Sequence, residues 1–357
     1  MTHYHVDRPI RVGFACNADT YERMMDDGAM AAFTALGTFE HHLCNEPSAW
    51  EEAPPENPGA IDALVQFASG LDALLVCHGS PRITGAILDR LPNLRLVAEV
   101  EGDRFSQRID VEAAAARDVT VVDTTNGSSY PVSEWALAMA MMGLRNAGAL
   151  YRRMIAGETP FRTTADRVAD FGWNGELTGR KVGLIGCGYI GRRLLELLAP
   201  FHCDIYAYDP YAPRVIADIY DITLTSLEQV MGCDVVISLV PLTPETRHML
   251  TAKELDLLRP GSVFVNVSRG AVVDQAALIE RLERNDIVAS LDVFDPEPLE
   301  PDSPLRQMAN VFLTPHIAGV TAPCGPRFLT LAADEIERRF AGHRTRHDLV
   351  PRASVKK

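Results

Sequence analysis

Three residues in the second half of the chain have side chains that together could interconvert an alcohol and a carbonyl next to a carboxylate. Arg269, Glu297 and His316 each come a few residues after a short run of apolar residues. Histidine side chains titrate close to neutral pH, so one can accept a hydroxyl proton and return it in the reverse reaction. A neighbouring carboxylate orients the imidazole and stabilises its charged form. An arginine can hold a substrate carboxylate by two hydrogen bonds and polarise the adjacent oxygen. The three residue types therefore predict 2-hydroxy acid chemistry, with the hydride carried by a cofactor.

A glycine-rich sequence upstream supplies a candidate site for that cofactor. Gly186, Gly188 and Gly191 have the G-x-G-x-x-G spacing, directly after a strand predicted at 182–185 and at the start of a helix predicted over Tyr189–Leu198. In this context the first glycine allows a tight turn, the second lets the backbone approach a pyrophosphate, and the third lets helix and strand pack closely. The N-terminus of the helix attracts the anion. The sequence therefore predicts a dinucleotide-binding loop.

Asp209 predicts which dinucleotide is bound. It lies 18 residues after Gly191, at the end of a second predicted strand, where a carboxylate accepts hydrogen bonds from the adenosine ribose. Its negative charge repels the additional 2′-phosphate of NADP. Pro210 and Tyr211 follow it, so no arginine at these two positions offsets the preference, and the next arginine is Arg214. We therefore expect NAD (NAD+/NADH) in preference to NADP.

The candidate residues fall where strands of a parallel sheet are predicted to end. From Lys181 onwards the predicted strands are 182–185, 205–208, 235–239, 263–267, 287–293 and 311–313. Between them, Thr251 and Glu254 form a capping box that opens one helix, and Asp274 caps the next. Open parallel sheets bind ligands beyond the carboxyl ends of their strands. The three catalytic candidates are expected at this edge.

The first third of the chain also alternates strands and helices. Strands are predicted at 11–15, 71–77 and 94–100, and helices at 21–36 and 85–91. The proline-rich stretch 45–59 is predicted to be a loop, and the polar tail from His343 is predicted to be loosely held. This alternation predicts a second parallel sheet covered by helices on both faces.

Residues 131–144 form a different kind of helix. Its apolar residues occupy every face, so the helix is predicted to be buried all round. The sequence leaves open whether it is buried between domains, between subunits or within the core of one domain. The stretch 162–175 that follows is predicted to be a surface loop.

Composition limits the class of protein. The 357 residues predict two domains, or three. The formal net charge of −14, without a basic block, disfavours nucleic acid and anionic membranes as partners. The longest apolar run, 135–144, is about half a membrane span, and the first eleven residues lack the apolar core of a signal peptide. The seven cysteines are widely spaced, which excludes a CxxC metal or redox motif and disfavours a disulfide framework. We therefore expect a cytoplasmic protein without a metal site.

Several segments, taken together, resemble the D-isomer-specific 2-hydroxyacid dehydrogenase family. They are 131–134 with the following helix, 176–191, 240–246 and the motifs around the three catalytic candidates, in the order of the family, within a similarity that runs from about residue 94 to 319. The resemblance implies an NAD-dependent oxidoreductase that interconverts a D-2-hydroxy acid and its 2-keto acid. It implies that His316 is the general acid/base, that Glu297 orients it, and that Arg269 binds the substrate carboxylate. The formate branch has glutamine at the position of Glu297 and is disfavoured.

The resemblance also implies the fold and the assembly. The fold class is α/β, with a Rossmann-type doubly wound parallel sheet in an NAD domain over 125–320. A discontinuous, flavodoxin-like α/β substrate domain is formed by 1–124 and 321–357. Family members are commonly homodimers, with the helix after Pro131 in the interface. Expected cofactor contacts are Gly186, Gly188, Tyr189, Ile190, Gly191, Asp209, Val240, Pro241, Thr246, Val267, Asp292, His316 and Gly319. Asp292 is expected at the nicotinamide end, with a purely structural contact as the alternative.

One segment departs from the family pattern. Where the family has a short glycine-rich loop that binds the substrate carboxylate through backbone amides, residues 99–110 are longer and more polar. One hypothesis is that this segment contacts a polar or sugar-derived acid; the alternative is a solvated loop with no substrate role. The residues expected to contact such a substrate are His78, Ser80, Glu101, Gly102 and Asp103.

Two other functions remain open from the sequence. One is a non-catalytic, NAD-sensing regulatory protein on the same fold, as in the corepressor branch of the family. The other is a phosphite-type dehydrogenase. The negative net charge favours the 2-hydroxyacid dehydrogenase over the regulatory protein.

Overall fold

The computed structural model describes residues 8–47, 53–101, 108–158 and 175–350. The chain forms two compact units: Met1–Ser128 with Thr321–Lys357, the first unit, and Ser129–Val320, the second unit. The sequence places the corresponding divisions at 124/125 and 320/321. Most of the surface loop predicted at 162–175 lies outside the described residues. Among the residues described, no helix is both long and apolar enough to cross a membrane.

A six-stranded sheet forms the centre of the first unit. Numbered in chain order, its strands are β1 Ile10–Cys16, β2 Gly37–Leu43, β3 Ala73–Val76, β4 Leu96–Glu99, β5 Thr120–Asp123 and β13 Asp348–Leu349. The helices of this unit are α1 Ala18–Met24, α2 Asp27–Leu36, α3 Pro58–Ala68, α4 Gly85–Asp89, α5 Val111–Ala115 and α13 Cys324–Phe340. The order β13-β5-β4-β3-β1-β2 contains the 2-1-3-4-5 arrangement of flavodoxin-like sheets. Leu74 and Leu75 of β3 enter two different apolar clusters, so both faces of the sheet are covered.

The prediction of a single helix over 21–36 is wrong, because the chain forms two helices there, α1 and α2. Met25 has extended backbone angles, and the Asp26 side chain accepts a hydrogen bond from the amide of Ala29 at 2.7 Å. An aspartate that caps a new helix competes with continuation of the previous one. The periodicity of the apolar residues continues through this break, which is why the sequence predicted one helix.

The loop predicted at 45–59 is shorter than expected. Asn57 caps α3 by accepting a hydrogen bond from the amide of Gly59 at 3.1 Å, and Pro58 occupies the first position of that helix. The sequence also missed β2, an edge strand whose polar side chains include His41 and His42. Edge strands with polar side chains lack the alternation of apolar residues from which strands are predicted, so β2 was missed.

Residues 343–350 of the C-terminal tail are held in place, contrary to the prediction, and the rest of the tail lies outside the described residues. Strand β13 pairs antiparallel with β5. The completely buried carboxylate of Glu335 is 2.8 Å from Nδ1 of His347 and accepts a hydrogen bond from the amide of Arg346 at 2.8 Å. Burial raises the pKa of Glu335, but the bonds from His347 and the backbone amides outweigh it, so the pKa lies below its ordinary value.

We expect Glu335→Gln to destabilise the first unit and to weaken its response to acid. A carboxyl pKa lowered by folding stabilises the folded state above the ordinary pKa of glutamate, and this contribution is lost as the pH falls through the folded value. The free energy of unfolding at pH 7 should fall by about 1–3 kcal/mol, and between pH 6 and pH 3 the variant should lose less stability than the wild type. Urea unfolding followed by circular dichroism measures both. Glu337→Gln, at an exposed position of the same helix, is the control. Equal pH dependence in wild type and Glu335→Gln would contradict this account.

A seven-stranded parallel sheet forms the centre of the second unit. Its strands are β6 Lys181–Ile185, β7 Asp204–Tyr208, β8 Thr223–Leu224, β9 Val235–Ser238, β10 Val263–Asn266, β11 Val288–Leu291 and β12 Val311–Leu313. Its helices are α6 Ser129–Leu144, α7 Ala147–Ile155, α8 Tyr189–Leu198, α9 Val215–Tyr220, α10 Leu227–Met231, α11 Ala252–Leu255 and α12 Gln275–Glu283. The order β12-β11-β10-β9-β6-β7-β8 is that of a Rossmann-type sheet, which changes direction between β6 and β9. The predicted capping box at Thr251 and Glu254 and the Asp274 cap are confirmed.

Helix α6 is buried on one side only within the second unit. Met139 is buried and its carbonyl accepts a hydrogen bond from Ser290 Oγ of β11 at 3.1 Å, while Tyr130 and Met141 are exposed. The prediction of burial all round is therefore wrong for the isolated chain. Its uniform apolar composition hid which face meets the sheet.

Candidate active site

His316 and Glu297 form a close pair at the carboxyl edge of the second unit's sheet. They follow the neighbouring strands β12 and β11, and His316 Nδ1 lies 2.5 Å from Glu297 Oε1. Both side chains remain partly accessible, with 29% and 34% of their surface exposed. Because Nδ1 faces the carboxylate, Nε2 is the nitrogen through which His316 would exchange a proton with a ligand.

Asp292 holds the backbone that carries His316. Its completely buried carboxylate accepts hydrogen bonds from the amides of Ile317 at 3.0 Å and Ala318 at 2.9 Å, and from Thr314 Oγ1 at 2.5 Å. The carbonyl of Asp292 accepts the His316 amide at 2.8 Å. His316 itself has a φ of 52°, which lies in the left-handed region. A non-glycine residue is kept in this region only where its surroundings impose it, and the bonds to Asp292 do so. Asp292 therefore makes purely structural contacts, which the sequence offered as the alternative to a nicotinamide contact.

The loop that carries Arg269 is packed against the loop that carries Glu297. Arg269 follows β10, and its Nη1 donates a hydrogen bond to the carbonyl of Ser268 at 2.8 Å. A Cβ added at Gly270 would overlap the carbonyl of Phe294. The two backbones therefore meet at a glycine, and the glycine is required by lack of space, not by its backbone angles. Arg269, Glu297 and His316 thus follow three adjacent strands, with direct contacts between successive loops.

The glycine loop has the shape that a pyrophosphate requires. Gly186 has a φ of 97°, and a Cβ there would lie 3.0 Å from Val240 Cγ1. A Cβ at Gly191 would lie 2.9 Å from the carbonyl oxygen of Gly186, so helix α8 and strand β6 need this glycine for close packing. Gly188 is the exposed N-cap of α8, and a Cβ there would point into open space. An open position before a helix N-terminus leaves room for an anionic group next to the first backbone amides of the helix.

Asp209 is bonded to the glycine loop. Its Oδ2 accepts a hydrogen bond from the amide of Cys187 at 2.8 Å, and its Oδ1 accepts one from the amide of Tyr211 at 2.9 Å. The side chain is partly exposed. The carboxylate therefore fixes the loop and carries a negative charge at the end of β7, where the ribose contact is expected.

The remaining expected cofactor residues lie along the same edge. Val240 and Pro241 follow β9, across the change of strand direction from Gly186. Thr246 Oγ1 donates to the carbonyl of Pro241 at 2.6 Å, which closes this loop on itself. Val267 is buried directly after β10. Partly buried positions are occupied by Tyr189, Ile190 and Gly319.

The expected substrate residues lie in the first unit, and the structure brings two of them together. His78 Nε2 is 3.6 Å from Glu101 Oε2. Ser80 is completely buried and its hydroxyl donates to the carbonyl of Pro81 at 2.9 Å, so it presents no surface to a ligand. Gly102 and Asp103 lie outside the described residues. Sequence reasoning missed Arg23, which binds both carboxylate oxygens of Glu101 at 2.7 Å. No pattern connects residues 78 positions apart.

Cys77, His78 and Glu101 bring three potential metal ligands within 4.8 Å of one another. Burial raises the pKa of the Cys77 thiol well above its ordinary value, and nearby Glu101 raises it further. A thiol must be deprotonated to bind a metal ion, and both oxygens of Glu101 are already bonded to Arg23. This group is therefore poorly suited to hold a metal.

A dinucleotide-binding sheet with a histidine–carboxylate pair at its carboxyl edge defines the class of protein. The profile of the family described as D-isomer specific 2-hydroxyacid dehydrogenase, NAD binding domain, matches residues 137–318. The chain belongs to this family, and its second unit contains the NAD-binding domain.

Individual relatives support this assignment. The chain is 34% identical over 281 residues to the (S)-sulfolactate dehydrogenase of Chromohalobacter salexigens, covering 77% of this chain and 86% of the relative. It is 32% identical over 295 residues to the D-3-phosphoglycerate dehydrogenase of Mycobacterium tuberculosis, covering 82% of this chain and 53% of the relative. The chain thus spans about half the length of the D-3-phosphoglycerate dehydrogenases that it matches. A phosphoglycerate oxidoreductase from Rhizobium etli has the same fold, with a TM-score of 0.75, 23% identity and coverage of 95% of this chain and 98% of that structure.

Proposed function

We propose that this protein is an NAD-dependent oxidoreductase that interconverts a D-2-hydroxy acid and its 2-keto acid. The observation that carries the proposal is the 2.5 Å contact between His316 Nδ1 and Glu297 Oε1 beside the Arg269 loop. A histidine–carboxylate pair at the edge where Rossmann-type sheets bind their ligands supports the proposed acid–base role. The first unit supplies the substrate domain and the second the NAD domain.

The three side chains have distinct roles. In the oxidation, His316 Nε2 accepts the proton of the substrate 2-hydroxyl, and in the reduction it returns that proton to the 2-oxygen. Glu297 keeps the ring in the orientation and tautomer that this transfer needs and stabilises the imidazolium. Arg269 binds the substrate carboxylate and polarises the 2-oxygen. Asp292 keeps the His316 backbone in its left-handed conformation.

The residues of the glycine loop fit a dinucleotide. Gly186, Gly188 and Gly191 give the backbone the close approach and the open helix N-terminus that a pyrophosphate needs, and Asp209 would accept the adenosine ribose hydroxyls. The nicotinamide ring, when bound, supplies the hydride acceptor or donor. NAD is preferred to NADP in this proposal because Asp209 brings a negative charge to the ribose position.

We expect Asp209→Asn to relax the discrimination against NADP. The asparagine Oδ1 can still accept a loop amide, but the charge that repels a 2′-phosphate is gone. The ratio of kcat/KM for NADP to that for NAD should rise by about tenfold or more. Steady-state kinetics with both cofactors measures the ratio. Asp218→Asn, at an exposed position of α9, should leave it unchanged, and an unchanged ratio in Asp209→Asn would refute the assigned role.

We expect Gly270→Ala to lower kcat by about 10²-fold, because the added Cβ must push the Arg269 loop away from the Phe294 carbonyl. The matched control is Gly232→Ala, where a Cβ would lie an ordinary 3.5 Å from the nearest atom. The affinity for NADH, measured by fluorescence titration, should change little in either variant. Wild-type kcat in Gly270→Ala would show that this contact does not position the catalytic loops.

The substrate in this proposal is a polar or sugar-derived acid that contacts His78 and Glu101. We further propose a cytoplasmic location, because all seven cysteines are free thiols, as expected in a reducing compartment. The net charge of −14 favours small-molecule partners over nucleic acid or anionic membranes.

We also propose a homodimer. On α7, Tyr151, Met154 and Ile155 are spaced as one helical stripe, and 65%, 58% and 68% of their surfaces are exposed. Tyr130 and Met141 of α6 are exposed as well. Exposed apolar surface of this kind marks protein interfaces. Light scattering should give twice the mass of the chain, and Met154→Glu should shift the protein towards the monomer. A monomeric wild type would overturn the dimer.

A cofactor-reduction screen of D-2-hydroxy acids, including aldonates, tests the proposed activity. We expect NADH formation with at least one acid. An NAD-sensing protein would bind NADH without turning over any acid, and a phosphite-type enzyme would reduce NAD+ only with phosphite.

A further inference from the structure

The segment that carries Glu297 is held at its two ends by burial and is open between them. Phe294 and Leu299 are each only 7% exposed, whereas residues 296–298 lie at the surface. Two of these three surface residues are prolines, which have no N–H, so the backbone of the segment can donate few hydrogen bonds. A carboxylate that orients a catalytic histidine must nevertheless keep a fixed position. The segment therefore needs support from side chains outside it.

Gln275 supplies one such support. Its Oε1 accepts a hydrogen bond from the amide of Asp295 at 3.1 Å. Gln275 is the first residue of α12, and the start of this helix is fixed because Asp274 caps it by accepting the amide of Ala277 at 3.1 Å. The Gln275 side chain thus extends from a capped helix to the backbone two residues before Glu297.

His248 contacts Asp295 from a different segment. Its Nε2 lies 3.5 Å from Asp295 Oδ2, and its amide donates to the carbonyl of Ala271 at 2.8 Å, two residues after Arg269. His248 has a φ of 50°, in the left-handed region that non-glycine residues rarely adopt. The side chains of His248 and Asp295 are 51% and 39% exposed, so their contact adds little to the free energy of unfolding. What it does is join the segment after Arg269 to the segment before Glu297.

We propose that Gln275 and His248 are positioning residues for the acid–base pair. By holding Asp295, they keep Glu297 in contact with Nδ1 of His316. If the carboxylate moved away, Nδ1 would lose its acceptor, and the ring would no longer keep its proton on Nδ1 and leave Nε2 free for the substrate. Gln275 has the larger effect, because it bonds the backbone of the segment directly. The effect on turnover rests on the proposed function.

Steady-state kinetics with a 2-keto acid and NADH tests the effect on turnover. Gln275→Met keeps the side-chain length and the helix propensity but has no oxygen for the Asp295 amide, and it should lower kcat by about tenfold. Gln275→Glu restores an acceptor oxygen and should keep kcat within about threefold of wild type. His248→Asn tolerates the left-handed backbone and should lower kcat by about two- to fivefold. The affinity for NADH should not change. Gln307→Met, the same change at an exposed position of the second unit, is the control.

A double-mutant cycle shows whether Gln275 acts through Glu297. In a Glu297→Ala background, Gln275→Met should lower kcat by less than about twofold, because the contact that Gln275 supports is already gone. A tenfold loss in both backgrounds would show that Gln275 acts elsewhere and would overturn the inference. Wild-type kcat in Gln275→Met would also overturn it, and wild-type kcat in His248→Asn would remove the role of His248.

Nitrogen NMR of the full chain, labelled with ¹⁵N-histidine, separates this inference from the proposed activity because it needs no turnover. At about pH 9, where an ordinary imidazole is neutral, the shifts of the two ring nitrogens show which one carries the proton. We expect His316 to carry it on Nδ1 in the wild type and to show both tautomers in Gln275→Met, with its signals identified by their loss in His316→Ala. This change supports the inference even if no acid is turned over, in which case the proposed function fails alone. The same tautomer in wild type and Gln275→Met overturns the inference and leaves the function standing.

Discussion

Replacing His316 with alanine is expected to lower kcat by about 10²- to 10⁴-fold while NADH still binds. The imidazole Nδ1 lies 2.5 Å from Glu297 Oε1, which leaves Nε2 to exchange the proton with the substrate. Without it, the proton of the substrate hydroxyl must go to water. Most of the expected cofactor residues follow β6, β7 and β9, away from the loop that changes, and His316 is only one of the expected contacts. The dissociation constant for NADH should therefore stay within about threefold of wild type.

Single-turnover kinetics and fluorescence titration of NADH measure the two quantities separately. The control is His343→Ala, because His343 is exposed and lies in the first unit. If His316→Ala retained wild-type kcat, another group would have to be the acid–base catalyst. If NADH binding were lost instead, the substitution would have damaged the cofactor site. His316 could then not be assigned to proton transfer alone.

Replacing Arg269 is expected to lower kcat/KM by about 10²- to 10³-fold, because an interaction with the developing charge on the 2-oxygen is lost. Lysine restores the charge but cannot form two parallel hydrogen bonds with a carboxylate. Arg269→Lys should therefore recover only a small part of the loss of Arg269→Ala. Steady-state kinetics with a 2-keto acid and NADH measures both variants.

An exposed arginine of the same unit provides the matched control. Arg284 pairs with Asp256 at 2.7 Å on the surface, with 55% and 50% of the side chains exposed. Arg284→Ala and Arg284→Lys should leave kcat/KM unchanged. Full activity in Arg269→Lys would mean that a point charge is sufficient and that two-bond recognition of the carboxylate is not used.

The parts of the site that could be predicted from sequence are those whose residues lie close together along the chain in a recognisable motif. The glycine spacing, the strand before it and the helix after it lie within 20 residues, so Gly186 could be placed at a strand end. Asp209 could be placed because it directly ends the next apolar strand along the chain. Arg269 and His316 could be placed for the same reason, since each follows a short apolar strand. The fold class followed from the alternation of strands and helices and from the family resemblance.

The parts that could not be predicted depend on contacts between distant residues. Arg23 meets Glu101 across 78 positions, and the buried Glu335 holds a tail that looks polar and free in the sequence. The break at Asp26 depends on one side-chain cap within a continuous apolar pattern. The carboxylate of Asp292 could be assigned to a cofactor or to the backbone, and only the structure shows the amides of Ile317 and Ala318 bonded to it.

Deuterium transfer shows whether the chain moves a hydride from NADH to C2 of a 2-keto acid. The full chain is incubated with a 2-keto acid and NADH that carries two deuterium atoms at C4, and the product acid is analysed by mass spectrometry. We predict one deuterium at C2 of the hydroxy acid in the wild type and a rate of its appearance lower by about 10²-fold or more in His316→Ala. If the wild-type chain bound NADH but no 2-keto acid tested gained deuterium, the chain would not be the proposed dehydrogenase.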